Sequence, residues 1–250
     1  MKTALITGAS SGIGQVLARQ LADDGWRVAL ASRNATALGA HAGSAGIEVL
    51  ASADVSTEAG AAQVLRDASA CFGGPPAAVI NCAGSTLIAP ITRTSEAQYR
   101  AVMAANLDTC FFVARAYAAA LAAQEQPGAL VLFSSVVAAT GVANHAAIAA
   151  AKGGVEALAR ALAADYSALG LRVNCIAPGL TRSPMTQRML ANEASVKQVV
   201  AQYPLGRHGE PDDAAALAAF LVSDAAGWIT GQVIGLDGGF GAVRPYVKAG

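Results

Sequence analysis

The chain has 250 residues and a mass of 24.9 kDa, enough to bury a sizeable core as one α/β domain. Its formal net charge is zero and its pI is near 6.8, so we expect neither a nucleic acid nor a membrane as partner. No apolar run reaches the roughly 18 residues of a membrane span. The four cysteines lack CxxC or metal-type spacing, which predicts buried, unpaired thiols, no metal and a cytoplasmic location.

Short apolar runs alternate with longer helical stretches along the whole chain. Each run is continuously apolar, as a parallel sheet covered on both faces requires. The predicted strands are residues 3–7, 27–31, 48–52, 77–81, 129–133, 172–176 and 232–236, with helices over 14–24, 61–72 and 152–169 among the segments between them. We therefore predict one Rossmann-type doubly wound domain over residues 1–250, with a seven-stranded parallel sheet flanked by helices on both faces.

Residues 180–210 depart from this alternation, because they hold one helical patch and no strand. An insertion near the strand ends of such a fold commonly covers a ligand. We expect this segment to cover a small-molecule substrate, whose identity the sequence does not reveal.

A glycine turn follows the first predicted strand. Gly8, Gly12 and Gly14 come directly after it and open the first helix. A helix N-terminus offers unpaired N–H groups and a partial positive charge, and the glycines let the backbone approach a pyrophosphate. The turn therefore predicts a dinucleotide cofactor.

The string TGASSGIG at residues 7–14 resembles the short-chain dehydrogenase/reductase family. Further matching motifs stand at the expected strand ends: Asp54, N-C-A-G (81–84), Asn106, the pair Ser134 and Ser135, P-G (178–179) and LDGGF (236–240). The resemblance covers nearly the whole chain and is nearest to the branch that includes the β-ketoacyl carrier-protein reductases.

This resemblance implies an NAD(P)-dependent oxidoreductase that forms dimers or tetramers. The residues it implies for cofactor binding are Gly8, Ser10, Ser11, Gly12, Ile13, Gly14, Ser32, Arg33, Asn34, Asp54, Val55, Asn81, Cys82, Ala83, Gly84, Lys152, Pro178, Gly179 and Thr181. Asp54 would lie near the adenine and Thr181 would reach the nicotinamide carboxamide. Cys82 departs from the family's commoner N-N-A-G, and a backbone contact there would survive the change.

The end of the second strand favours NADP(H) over NAD(H). An acidic residue at this place binds the ribose diol and repels a 2′-phosphate. Here Ser32 is uncharged and Arg33 follows it, and a guanidinium suits a phosphate dianion. The alternative is that Arg33 is only a solvated surface charge.

The family's chemistry uses a Tyr-x-x-x-Lys pair with a serine about thirteen residues before the tyrosine. Lys152 and Ser135 match that spacing, but Ile148 occupies the tyrosine's position. No tyrosine lies within ten residues of Ile148, and Lys152 is the only lysine between Lys2 and Lys197, so no second alignment is available. The resemblance adds Asn106 to Ser135 and Lys152 as catalytic residues.

Isoleucine cannot donate a proton, so the sequence leaves the proton path open. His145 precedes Lys152 by seven residues and would share its helix stripe if the helix has begun by then, and imidazole exchanges a proton near neutral pH. A water relay through Lys152 is a second route, and Tyr203 in the covering segment is a third. Two functions follow: an oxidoreductase with an atypical active site, or a catalytically silent NADP(H)-binding sensor or partner subunit. A third possibility, non-redox chemistry such as elimination or isomerisation, has no sequence feature of its own.

Overall fold

The computed structural model describes residues 1–41 and 43–244, so Ala42 and residues 245–250 of the predicted domain lie outside the described residues. The strands are β1 (Thr3–Thr7), β2 (Arg27–Ala31), β3 (Ile47–Val49), β4 (Ala78–Asn81), β5 (Gly128–Phe133), β6 (Leu171–Pro178) and β7 (Val233–Leu236). The α-helices are α1 (Gly12–Asp23), α2 (Glu58–Phe72), α3 (Glu96–Met103), α4 (Thr109–Ala123), α5 (Ala146–Asp165), α6 (Glu193–Val200) and α7 (Pro211–Val222).

The seven strands form one parallel sheet in the order β3-β2-β1-β4-β5-β6-β7, which confirms the predicted fold class. The order reverses between β1 and β4. In doubly wound sheets, the crevice at such a reversal, beyond the carboxyl ends of the strands, is where ligands bind.

Helices cover both faces of the sheet. Alternate residues of each strand point to opposite faces, so neighbouring residues pack against different helices. Ile6 of β1 packs into the cluster formed with α1 and α7, whereas the neighbouring Leu5 packs into the cluster formed with α2, α4 and α5. Both side chains are fully buried. This two-sided burial is why the strands are continuously apolar in sequence.

Three predicted boundaries or environments are corrected. The edge strand β3 ends at Val49 instead of residue 52, although Leu50 N–H still donates to Leu30 O at 2.9 Å. Helix α5 covers Ala146–Asp165, whereas the sequence predicted 152–169. Cys71 is exposed and Cys82 half-buried, so only Cys110 and Cys175 are the buried thiols expected of all four.

Within the described chain, no helix is both long and apolar enough to cross a bilayer.

Candidate active site and cofactor groove

The turn after β1 requires glycine at two positions. Gly8 has a φ of +65°, and a Cβ there would lie 2.5 Å from Ala83 Cα in the loop after β4. A Cβ on Gly14 would lie 2.8 Å from Ala9 Cα. Glycine at position 14 therefore lets the start of α1 pack closely against the turn that precedes it. At Gly12, by contrast, the nearest atom is 3.6 Å away, and this residue borders the groove.

The first turn of α1 is built to receive an anion. Ser11 is the N-cap, and its hydroxyl accepts a hydrogen bond from Gly14 N–H at 3.0 Å. The N–H groups of Gly12 and Ile13 have no acceptor within the helix, because the first turn of any α-helix lacks one. A pyrophosphate at this place would satisfy them.

A groove of about 440 Å³ extends from this turn past the ends of β2 and β3. Ser32 is buried, and its hydroxyl lies 3.0 Å from Ser10 Oγ and accepts from Asn34 N–H at 3.2 Å. Arg33 is exposed at the edge of the groove. This end of the groove therefore combines a neutral hydroxyl with a guanidinium, and selection of NADP(H) by these two groups stays a prediction.

Asp54 and Val55 line the same groove. One carboxylate oxygen of Asp54 accepts from Ser56 Oγ at 2.7 Å and from Ser56 N–H at 3.0 Å. These hydrogen bonds, with a smaller contribution from the Arg33 charge, hold the pKa of Asp54 below its usual value. Asp54 is therefore an ionised acceptor at neutral pH, suitable for an adenine amino group.

Most of the predicted cofactor residues line this groove or the adjoining cavity, but three do not: Gly14, Asn34 and Asn81. Asn34 Oδ1 accepts from Thr36 N–H at 3.1 Å and thereby stabilises the following turn. Asn81 is fully buried and accepts from Thr7 Oγ at 2.7 Å, which connects β4 to β1. The side chains of Asn34 and Asn81 are thus used for hydrogen bonds within the protein, and cofactor contact by these three residues stays a prediction.

Asn106 lies in a π-helical turn over Ala104–Asp108, a local widening often found at functional sites. Its side chain is fully buried; Oδ1 accepts from Ser85 N–H at 3.2 Å, and Nδ2 donates to Val102 O at 2.9 Å. A Cβ on Gly84 would lie 3.1 Å from Asn106 Oδ1 and 3.6 Å from Lys152 Nζ, so the three residues meet. The sequence motifs did not single out Ser85. It directly follows N-C-A-G, and this position was the signal that could have identified it as a neighbour of Asn106.

Lys152 extends from α5 to the end of β5, where Nζ donates to Phe133 O at 2.7 Å. Only 7% of the residue is exposed, and this burial holds the pKa of its ammonium group below the usual value of 10.5. One of its three N–H bonds is thus used by the backbone, and two remain for a ligand or water.

Ser135 follows β5, and its hydroxyl is held weakly. It donates to Pro178 O at 3.5 Å and accepts from Val137 N–H at 3.4 Å, both near the outer limit for a hydrogen bond. Because the hydroxyl loses little by leaving these partners, it is available to a substrate oxygen in the cavity that it lines.

Ile148 lies one helical turn before Lys152 and borders the same cavity. It is 4% exposed and packs with Val102 and Ala151, and with the half-buried Met103 and Val137. The place that the sequence aligns with the family's tyrosine is therefore apolar and closely packed.

His145 is the N-cap residue of α5 and stands outside the helix, so it does not share a helix stripe with Lys152. It nevertheless lines the same cavity as Ile148 and Lys152. Its Nδ1 lies 2.7 Å from Ala143 O. A carbonyl can only accept, so Nδ1 carries the proton and Nε2 is the atom free to exchange one.

The segment 180–210 borders the cavity through Thr181, Met185 and Met189, among others. Tyr203 OH accepts from Leu180 N–H at 2.7 Å, and its ring lies 5.2 Å from that of Phe240. Thr181 donates to Gly179 O at 3.2 Å. Together with Pro178 and Gly179, this part of the segment forms one side of the cavity, which has a volume of about 360 Å³.

Comparison with known proteins is consistent with this geometry. The profile described as enoyl-(acyl carrier protein) reductase matches residues 8–241. An uncharacterized oxidoreductase of Mycobacterium tuberculosis is 38% identical over 96% of this chain and 92% of its own length. The (3R)-3-hydroxyacyl-CoA dehydrogenase of Mus musculus is 35% identical over 94% and 95%.

A solved short-chain dehydrogenase/reductase of Burkholderia thailandensis is 33% identical and has a TM-score of 0.87 over 97% of this chain and 94% of that one. A 4-hydroxyisoleucine dehydrogenase complexed with NADH is 26% identical, with a TM-score of 0.90 over 98% of this chain and 100% of that one. The chain belongs to the short-chain dehydrogenase/reductase family, whose members are NAD(P)-binding oxidoreductases.

Proposed function

We propose that this protein is an NADP(H)-dependent oxidoreductase that interconverts a carbonyl and an alcohol in an atypical active site. The observation that carries the proposal is the composition of one cavity: Ser135, Lys152 and His145 line it together with Gly12 and Thr181 of the predicted cofactor site. Substrate-orienting and proton-exchanging groups therefore meet the groove in which a dinucleotide would lie.

The residues present fit such a cofactor. Gly12 and Ile13 would hold the pyrophosphate, Lys152 the nicotinamide ribose and Thr181 the carboxamide. When bound, the nicotinamide cofactor supplies or accepts a hydride. Ser135 would donate a hydrogen bond to the substrate oxygen and orient it.

Two routes could supply the proton that a tyrosine would give. In the first, His145 donates from Nε2 as an imidazolium, while Nδ1–H stays bound to Ala143 O and fixes the ring. In the second, water carries a proton from Lys152, whose lowered pKa makes its ammonium a stronger acid than usual.

The pH dependence separates these routes. If His145 is the donor, carbonyl reduction slows as rising pH removes the imidazolium, and alcohol oxidation slows as falling pH forms it. His145→Gln should change the pH profile in both directions and leave NADPH affinity unchanged. Profiles that are identical in the wild type and in this variant would assign the proton to the route through Lys152.

Cofactor preference is supported by Arg33, which is exposed beside the buried, uncharged Ser32. Fluorescence titration should find that Arg33→Ala weakens NADPH binding by about tenfold or more, the usual effect of losing a charge-assisted hydrogen bond, and changes NADH binding little. Arg160→Ala, at an exposed position of α5, is the matched control. Equal losses for both cofactors would argue against NADP(H) selection.

The second candidate is a silent NADP(H)-binding sensor or partner subunit, and the buried, apolar surroundings of Ile148 favour it. It predicts tight NADPH binding without turnover across a broad carbonyl panel. Detectable reduction of any member of that panel would reject it.

A homo-oligomer and a cytoplasmic location remain predictions. Trp228, five residues before the start of β7, is 99% exposed, and Phe111 on α4 is 49% exposed, which is consistent with contacts between copies. Gel filtration with light scattering would measure the oligomeric state. The four unpaired cysteines are consistent with a reducing compartment.

A further inference from the structure

Beyond Ser135, Lys152 and the predicted cofactor residues, much of the cavity wall is apolar. The loop after β4, the loop before α5, the segment 180–210 and the chain beyond β7 contribute to it. The side chains concerned are Ile88, Val142, Met185, Met189, Val199 and Phe240. The buried Ile148 extends the same apolar surface to the place where the resemblance puts a phenol.

The described part of the wall offers few charged groups to an ionic substrate. Of the described residues that line the cavity, none is acidic and none is an arginine. Apart from His145, which is charged only when protonated, Lys152 is the only lining residue with a charged side chain. One N–H bond of its ammonium is donated to Phe133 O, and the proposed function assigns the remaining ones to the nicotinamide ribose.

The covering segment contains three arginines; Arg188 is exposed and does not line the cavity, and the other two pair with carboxylates. Arg182 pairs with Glu210 at 3.0 Å, and Arg207 pairs with Asp213 at 2.8 Å. Neither arginine lines the cavity. The neutral groups of Thr86 and Gln202, which do line it, could bind a second uncharged polar group of a ligand.

We infer that, given the oxidoreductase activity proposed above, the substrate is an uncharged ketone or secondary alcohol with an apolar body. A carboxylate or phosphate placed against these side chains would lose hydration. Among the described lining residues it would find only Lys152, which the proposed function assigns to the cofactor ribose, and His145 as cationic partners. A neutral apolar body would leave water for a matching surface, as in most small-molecule sites. The reacting oxygen of the substrate would meet the hydroxyl group of Ser135.

The test uses a matched pair of ligands: a cyclohexanone that carries a methyl ester, and the same cyclohexanone with the free carboxylate. Their dissociation constants are measured by titration calorimetry on the protein saturated with NADP⁺, so that no turnover is needed. We expect the ester to bind at least about tenfold more tightly. Comparable or tighter binding of the carboxylate, or binding of neither ligand, would overturn the inference.

Two variants relate the preference to the cavity. Val142→Lys places an ammonium in the wall and should favour the carboxylate by at least about tenfold relative to the wild type. Ala143→Lys adds the same charge at the next, exposed residue, which does not line the cavity, and should leave the ratio unchanged. Equal effects of the two variants would overturn the inference. Failure of NADPH to bind, measured separately, would refute the proposed function.

Discussion

Replacing Ile148 by tyrosine tests whether the rest of the active site is competent. Ile148 borders the cavity that Ser135 and Lys152 line, one turn before the lysine on α5. A phenol introduced there would restore the spacing of the family's proton donor. A positioned general acid contributes about 10²–10⁴-fold in rate, so we expect NADPH-dependent carbonyl reduction to rise by up to that factor.

The same change has a structural cost that can be worked out in advance. Ile148 is 4% exposed and packs against Val102 and Ala151, so a larger ring must displace neighbours or turn into the cavity. Overpacking of this kind costs about 1–3 kcal/mol. In a domain of this size, that loss lowers the melting temperature by roughly 2–12 °C.

Ile148→Phe is the matched control, because it adds the ring without the hydroxyl. Both variants should melt at similar temperatures and bind NADPH alike, and only Ile148→Tyr should gain activity. NADPH consumption is followed with a panel of uncharged ketones, beside thermal unfolding of each variant. Equal activity of the two variants, both folded and binding NADPH, would refute the view that a missing phenol limits turnover.

Three further predictions concern the turn, the covering segment and the buried lysine. Gly8→Ala should abolish NADPH binding, because its Cβ would overlap Ala83 at a positive φ; circular dichroism and NADPH titration measure this. Tyr203→Phe should lower the free energy of unfolding by about 1 kcal/mol in denaturant titration, since Leu180 N–H loses its acceptor. The lowered pKa of Lys152 means that the unfolded chain binds the proton more tightly, so this group makes stability rise with pH up to about its ordinary pKa of 10.5. Lys152→Met should remove that contribution, so the unfolding free energy of the wild type minus that of the variant should increase with pH. A difference that stays constant with pH would contradict a lowered pKa of Lys152.

The fold was predictable because its signals are local. A strand covered on both faces must be continuously apolar, so the run at residues 3–7 is recognisable as a strand from sequence. A tight turn at positive φ favours glycine, so the glycine at position 8 indicates the turn that follows. Helix ends were predicted less well. The start of α5 was missed by six residues, because its N-cap is His145, whose side chain makes no capping hydrogen bond, instead of one of the usual capping residues.

The site was predictable only in outline. Spacing along the chain singled out Ser135, Ile148 and Lys152, but it did not reveal that Asn81 turns into the core or that His145 lies just outside its helix. Those outcomes depend on contacts between residues distant in sequence, such as Asn81 with Thr7 across two strands.

The sequence by itself determined a parallel α/β sheet, a dinucleotide turn and a chain with no phenol one turn before its lysine. Only the tertiary structure decided that Lys152 is bound to Phe133 O, that Arg182 and Arg207 are paired outside the cavity, and that the cavity wall is uncharged beyond Lys152 and His145 over the described residues. The physical reason is that periodicity and turn chemistry are properties of neighbouring residues, whereas the charge and shape of a cavity arise when distant segments pack together.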